Sequence, residues 1–214
     1  MSIHVAIADD HSAVRLGVKY LVHEWMPESI VHLAGDLPAL LRILSAETVD
    51  IIVLDINISG GNNFQMIPMI RNFQAGARIL IFSAYEEGVY ALRCIDSGAD
   101  GYIQKDREEE DIKEALNTVY AGKKYVSDGL RDQLLQSRLS QGNALLSNPI
   151  AHLTNRELEV GRLLTEGMGV GQIAKTLFIH TSTVGTYKSK IFDKLNVRNI
   201  KELMDAFKME NVWP

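Results

Sequence analysis

Asp9 and Asp10 stand side by side at the end of an apolar run, His4–Asp9, and a third carboxylate, Asp55, falls near the end of another, Val49–Ile56. Adjacent carboxylates repel each other and raise each other's pKa. A cation placed between them turns that repulsion into affinity. Mg²⁺ takes oxygen ligands in octahedral geometry and keeps several waters, so one or two direct carboxylates and a backbone carbonyl suit it. Ser83 and Lys105 lie at the ends of two further apolar runs, Arg78–Ala84 and Ala99–Gln104. A hydroxyl and an ammonium beside such a metal can hold the oxygens of an incoming phosphoryl group, leaving one carboxylate as the nucleophile.

These residues meet only if their runs lie side by side. Five short apolar runs, the four above and Ile30–Gly35, alternate with segments of helical period. Val14, Val18, Leu21, Val22 and Trp25 share one helix face, as do Leu37, Leu40, Leu41 and Leu44. Further helices are expected over Phe64–Phe73, Gly88–Ser97 and Glu108–Ala121, with Pro68 confined to a first turn. Glu108, Glu109, Glu110 and Asp111 open the last of these, where negative charge is favourable. The fold class is α/β, a doubly wound five-stranded parallel sheet covered on both faces. Ligands bind such sheets at the carboxyl ends of the strands, where Asp9, Asp10, Asp55, Ser83 and Lys105 converge.

The chain of 214 residues is 46% hydrophobic and 23% charged, with net charge −5, which allows two small domains. Residues 1–121 carry nine basic side chains against eighteen acidic, and residues 151–214 carry nine against seven. An acidic front half joined to a slightly basic tail permits nucleic-acid binding by the tail. The single cysteine, Cys94, excludes an intrachain disulfide, fits a reducing compartment and reads as a small buried hydrophobe. No basic-then-apolar leader opens the chain, and no apolar run nears the roughly 18 residues of a membrane span. A cytoplasmic protein with no membrane partner is expected.

Residues 122–150 carry polar side chains, Gly142, Pro149 and at most one helix, Gly129–Leu139, and read as a linker. From residue 151 to 214 the helical signal returns as a small all-α domain. Thr154 and Glu157 have the spacing of a capping box, and Gly167 closes that helix. Helices over Gly171–Phe178 and Thr183–Leu195, separated by a turn at Ile179–Ser182, have the form of a helix-turn-helix, and a last helix covers Ile200–Lys208.

With these stretches in view, residues 1–121 resemble the receiver domain of two-component response regulators, a flavodoxin-like fold. The matching stretches are "IADDH", "IVLDINISGGNNF", "LIFSAYEEG" and "GADGYIQKD". The resemblance implies that Asp55 accepts a phosphoryl group from a sensor histidine kinase. It implies that Asp10, Asp55 and the Asn57 backbone carbonyl ligate Mg²⁺, with Asp9 acting through water. Ser83 and Lys105 then contact the phosphoryl oxygens, and Tyr102 is the aromatic residue whose ring follows Ser83. Two positions depart from the family: Ser59 replaces a usual proline, and Asn63 a usual glycine. Asn tolerates left-handed backbone, so the turn is expected to survive. His11, beside the acids, reads as a loop residue, since Mg²⁺ prefers oxygen.

Residues 153–204 resemble the LuxR-type helix-turn-helix of the NarL/FixJ family, through "LTNRELEV", Gly167, "QIAKTLFI" and "TVGTYKSKIFDKLNV". The "TYKSK" form is similar to the virulence-regulator branch that includes BvgA and EvgA. Leu163, Ile173, Ala174, Leu177, Val184, Ile191 and Leu195 would form the small core. The opposite face, Thr183, Gly185, Thr186, Ser189 and Lys190, would enter the major groove, with Thr186 and Ser189 reading bases. Lys188, Lys190, Lys194 and Arg198 are candidates for phosphate contacts, although any one of them reads equally as solvated helix charge. Gly185 and Tyr187 replace a usual lysine and histidine. Glycine inside a helix costs about 1 kcal/mol relative to alanine, so either it lets the backbone approach DNA closely or specificity has drifted. His180 stands at the usual capping serine, leaving Thr181 or Ser182 to cap.

The resemblance implies a phosphorylation-switched transcription regulator that pairs as a homodimer and binds double-stranded operator DNA. A phosphohydrolase of the haloacid dehalogenase type is the enzyme alternative. Those enzymes carry a second acid two residues after the nucleophile, where this chain has Asn57.

Overall fold

The computed structural model describes residues 2–61, 63–139 and 149–209. Residues 140–148 of the expected linker and 210–214 of the expected tail domain lie outside the described residues. The chain divides into two compact units, Met1–Asp128 and Gly129–Pro214.

In the first unit, strands β1 (His4–Ala8), β2 (Ile30–Ala34), β3 (Ile51–Leu54), β4 (Arg78–Ser83) and β5 (Gly101–Gln104) alternate with helices α1 (Ser12–Trp25), α2 (Leu37–Ala46), α3 (Met66–Phe73), α4 (Glu87–Asp96) and α5 (Glu109–Tyr120). All strand pairs are parallel, in the order β2-β1-β3-β4-β5. Alternate strand residues serve opposite faces. Val5, Ile7, Ile51, Val53, Leu80, Phe82 and Ile103 pack against Val18 and Val22 of α1 and Ile112, Leu116 and Val119 of α5. Their neighbours Ala6, Ile52, Leu54, Ile79, Ile81 and Tyr102 are buried on the other face. Two-sided burial is why these strands read as unbroken apolar runs.

Strands β1 to β4 end one or two residues before the expected runs do and β5 ends with its run, so Asp9 and Asp55 lie just past their strands, at the site. Asp36 caps α2, its carboxylate accepting the Ala39 N–H at 2.6 Å. Asn63 takes the left-handed conformation, φ +52°, so asparagine serves where the family has glycine. Past Ala121 the chain stays on the first unit: the Tyr102 N–H donates to the Tyr125 carbonyl, and the Tyr125 N–H to the Asp100 carbonyl, each at 3.0 Å. Helix α6 (Asp128–Leu139) follows.

The second unit holds a 3-10 turn (Pro149–His152) and helices α7 (Asn155–Thr165), α8 (Val170–Thr176), α9 (Thr181–Leu195) and α10 (Ile200–Met209). The capping box forms: the Glu157 N–H donates to Thr154 Oγ1 at 3.3 Å and the Thr154 N–H to Glu157 Oε2 at 2.8 Å. Leu163, Ile173, Ala174, Leu177, Val184 and Ile191 are buried, joined by Leu158, Leu203 and Phe207, while Leu195 is only partly covered.

Helix α9 begins at Thr181, two residues before the expected start, and this overturns the expected capping. His180 is the capping residue without a side-chain hydrogen bond, its carbonyl accepting the Thr183 and Val184 N–H groups at 3.0 and 3.2 Å. Thr181 and Ser182 lie inside the helix. Among the described residues no helix is long and apolar enough to cross a membrane.

Candidate functional site

The carboxyl ends of β1, β3, β4 and β5 bring the acids, the hydroxyl and the lysine together. The Asp55 N–H donates to the Ala8 carbonyl at 2.8 Å and the Lys105 N–H to the Ser83 carbonyl at 2.8 Å, so ladder-like bonds carry the register into the site. The Lys105 ammonium lies 2.6 Å from Asp9 Oδ2 and 2.9 Å from Asp55 Oδ2. Asp55 Oδ1 accepts the Asn57 N–H at 3.0 Å, and Asp9 Oδ1 accepts the His11 N–H at 2.8 Å.

Asp9 and Asp55 are buried, and Asp10 faces solvent. Burial raises the Asp55 carboxyl above the usual carboxylate range; Lys105 and the Asn57 N–H pull it down, and Asp9 adds to the rise. Burial alone would lower the Lys105 ammonium, but the Asp55 and Asp9 carboxylates outweigh it and hold it above its ordinary value. The site is therefore short of positive charge, which is the condition that favours a cation.

One ligand atom from each of Asp9, Asp10, His11 and Asp55 falls within 4.8 Å of the others, so an aspartate cluster able to hold a metal is present. The carboxylate oxygens match the hard-donor chemistry of Mg²⁺. His11, expected as a loop residue, caps α1 and joins the cluster, its Nδ1 2.7 Å from Asp10 Oδ1. Arg15 carries no chemical motif in the sequence, yet its guanidinium donates to the Asp9 carbonyl at 2.6 Å. Its place one turn into α1 was the only available signal.

The Ser83 hydroxyl is fully buried and accepts the Tyr85 N–H at 3.2 Å, leaving its own proton to donate. Tyr102 is also fully buried, its hydroxyl donating to the Tyr85 carbonyl at 2.7 Å. Burial puts the Tyr102 phenol well above its usual range, and a hydrogen bond with Ser83 opposes that rise. Tyr85 stacks on Tyr90 at 4.7 Å and Tyr90 on Phe64 at 5.8 Å between ring centroids. This aromatic run from β5 through α4 to the loop after β3 was not legible as a unit, because its members lie far apart in sequence.

In the second unit, Gly185, Thr186, Ser189, Lys190 and Arg198 are exposed, with Thr183, Tyr187 and Lys188 partly covered. Thr186 Oγ1 donates to the Ser182 carbonyl at 3.1 Å, and the Lys188 ammonium lies 5.3 Å from the Phe192 ring centroid. Open space surrounds a Cβ added at Gly185, so nothing among the described residues requires glycine there. Lys194, also expected among the phosphate contacts, is exposed and places its ammonium 2.7 Å from Glu157 Oε2 and 3.3 Å from the His152 carbonyl. The reason is electrostatic: the capping-box carboxylate is 3% exposed, and Lys194 neutralises it.

The chain matches the response regulator receiver domain family over residues 5–117 and the luxR family of bacterial regulatory proteins over residues 151–207. It is 30% identical over 204 residues to the Fimbriae Z protein of Salmonella typhimurium, covering 95% of each chain. It is 30% identical over 208 residues to the positive transcription regulator of virulence factors BvgA of Bordetella pertussis, covering 97% of this chain and 98% of that one. The fold is that of the RcsB response regulator of Salmonella typhimurium, with TM-score 0.79, 24% identity and 98% of each chain covered.

Proposed function

We infer what this chain does from the family it belongs to, the two-component response regulators that join a receiver domain to a LuxR-type DNA-binding domain. It is a DNA-binding regulator of transcription, driven by phosphoryl transfer from a sensor histidine kinase. The phosphoacceptor is Asp55. The observation that carries this is its placement: a buried carboxylate at the end of β3, held between Lys105 at 2.9 Å and the Asn57 N–H at 3.0 Å, with Asp9 and Asp10 alongside.

Asp10, Asp55 and the Asn57 carbonyl would hold Mg²⁺, with Asp9 acting through water. Held there, the ion would offset part of the negative charge on the carboxylates and the phosphoryl oxygens, so that a carboxylate can attack phosphorus. The bond from phosphorus to the kinase histidine nitrogen breaks as one to an Asp55 oxygen forms. Lys105 follows the new charge onto a phosphoryl oxygen, and the Ser83 hydroxyl donates to another. Drawing Ser83 forward changes its contact with Tyr102 and hence the Tyr85 and Tyr90 stack on α4.

That repacking shifts the population toward paired receivers, and two tails then occupy two half-sites of an operator. Thr183, Gly185, Thr186, Tyr187, Ser189 and Lys190 face the major groove; Lys188 and Arg198 contact phosphates. RcsB, the fold neighbour, is described bound to promoter DNA. The chain turns over no small substrate in this reading, and both kinase and operator place it in the cytoplasm.

The test is the solution mass of wild type and Asp55→Asn with Mg²⁺, with and without acetyl phosphate. Wild type is expected to double in mass on treatment and Asp55→Asn to stay unchanged. Equal responses in both would remove Asp55 as the acceptor.

A further inference from the structure

The turn joining α8 to α9 contains a residue in the wrong conformation for its type. Phe178 has φ +53°, the left-handed region that a bulky side chain rarely occupies. It follows the last residues of α8 in a Schellman closure: the Ile179 N–H donates to the Ala174 carbonyl at 3.0 Å and the Phe178 N–H to the Lys175 carbonyl at 3.4 Å. Glycine is the usual residue there. Helix α7 closes in the same way with Gly167, φ +83°, the Met168 N–H reaching the Leu163 carbonyl at 3.1 Å. Helix α9 closes likewise on Asn196, φ +53°, the Val197 N–H reaching the Phe192 carbonyl at 3.0 Å, so the same domain uses glycine and asparagine at two such positions and phenylalanine at the third.

Burial does not repay the strain at Phe178. Its side chain is 93% exposed, far above every other large exposed hydrophobic among the described residues. The turn is held firmly behind it, since the Arg156 guanidinium donates to the Leu177 carbonyl at 3.0 Å. A strained, exposed, rigidly mounted aromatic group is a feature that function retains against stability.

Charge identifies the occupant. From Gly167 to Phe192 there is no Asp or Glu, while Lys175, His180, Lys188 and Lys190 all fall in that stretch, in a chain of net charge −5. Phe178 lies in one surface groove with Gly171, Ala174, Lys175, Ile179 and His180, three residues before α9 begins. Lys175 and His180 are both exposed.

We propose that Phe178 is a DNA-positioning residue, its ring packing on the deoxyribose edge beside the groove that α9 enters, flanked by Lys175 on an adjacent phosphate. The ring contributes apolar contact that salt does not screen. Lys175 contributes counterion release, which salt weakens. Together they set how deeply the start of α9 seats. This rests on the reading of α9 as the DNA-binding helix.

The experiment uses the full chain, treated with acetyl phosphate and Mg²⁺, and a duplex that the wild type selects from a random-sequence pool. Phe178→Gly is expected to melt at a higher temperature than wild type, yet bind the duplex about tenfold more weakly, with an unchanged slope of log affinity against log salt. Phe178→Tyr, which keeps the ring, should bind as wild type. Lys175→Ala should lower the slope by about 0.9. Full affinity in Phe178→Gly overturns the proposal and assigns the ring to a protein surface. A wild type that enriches no duplex, or one unaffected by Lys190→Ala, overturns the α9 reading itself, a different outcome.

Discussion

Asp55 is held in the fold at some expense to stability. Its carboxyl is raised chiefly by burial, and one ammonium, Lys105, answers both it and Asp9. Asp55→Asn removes a buried charge and leaves a matched Asp9–Lys105 pair, so the variant is expected to be more stable than wild type by about 1 kcal/mol at neutral pH without Mg²⁺. The pH dependence has a definite sign. An acid whose folded pKa lies above its unfolded value destabilises the fold above that pKa, and the cost is relieved as pH falls through it. The gap between variant and wild type should therefore narrow on acidification, which paired urea titrations across the acid range would measure. A wider gap at low pH would refute this account. The adjacent acids alone read equally as a solvated strand end; the site was legible because Asp9, Asp10, Asp55, Ser83 and Lys105 all fall at the ends of apolar runs. His11 and Arg15 were not, since their parts depend on how the first turn of α1 bends back over Asp9.

Elements were legible where periodicity carries burial and less so where a single backbone conformation decides. The five strands and the helices between them follow from two-sided and one-sided apolar patterns. The start of α9 did not, because His180 caps through its carbonyl alone. Nor did the turn at Phe178, whose conformation contradicts its residue type. Gly161, in the middle of α7, shows a third way that pattern falls silent. A Cβ there would stand 2.8 Å from Phe207 Cζ, and Phe207 is fully buried, so glycine lets α10 lie close against α7. Alanine would gain about 1 kcal/mol of helix propensity, but overpacking costs typically 1–3 kcal/mol, and an aromatic ring in a closed core has little room to yield. Gly161→Ala is expected to destabilise the second unit by about 1 kcal/mol and to speed amide exchange in α7 and α10. In a Phe207→Leu background the same change should cost less; an undiminished cost would place the clash elsewhere.

At the scale of the whole molecule, charge asymmetry suggested two units, but composition placed the polar stretch after Ala121 outside the first of them. The structure shows what binds residues 122–128 to it. Tyr125 is 6% exposed within the core beneath α5 and is tied by two backbone hydrogen bonds to Tyr102 of β5 and to Asp100 just before it. Gly101 makes room for it, since a Cβ there would lie 3.1 Å from the Tyr125 Cβ. Two residues later the Ser127 N–H donates to Glu87 Oε1 at 2.7 Å, and Glu87 is a buried acid in the first turn of α4, with Arg107 at 3.7 Å. Ending the chain after Ala121 would expose the apolar hollow left by Tyr125, free the Tyr102 N–H and the Asp100 carbonyl, and take the Ser127 N–H away from Glu87. Burial of an aromatic side chain is worth roughly 1.5–3 kcal/mol and each hydrogen bond about 1 kcal/mol. A receiver ending at Asp128 should therefore exceed one ending at Ala121 by about 3 kcal/mol in urea unfolding, with the amides of β5 exchanging faster in the shorter chain. Because Glu87 opens the helix that carries Tyr90, on which Tyr85 stacks, the shorter chain should also show altered aromatic circular dichroism. Equal stability and equal spectra would make residues 122–128 a tether.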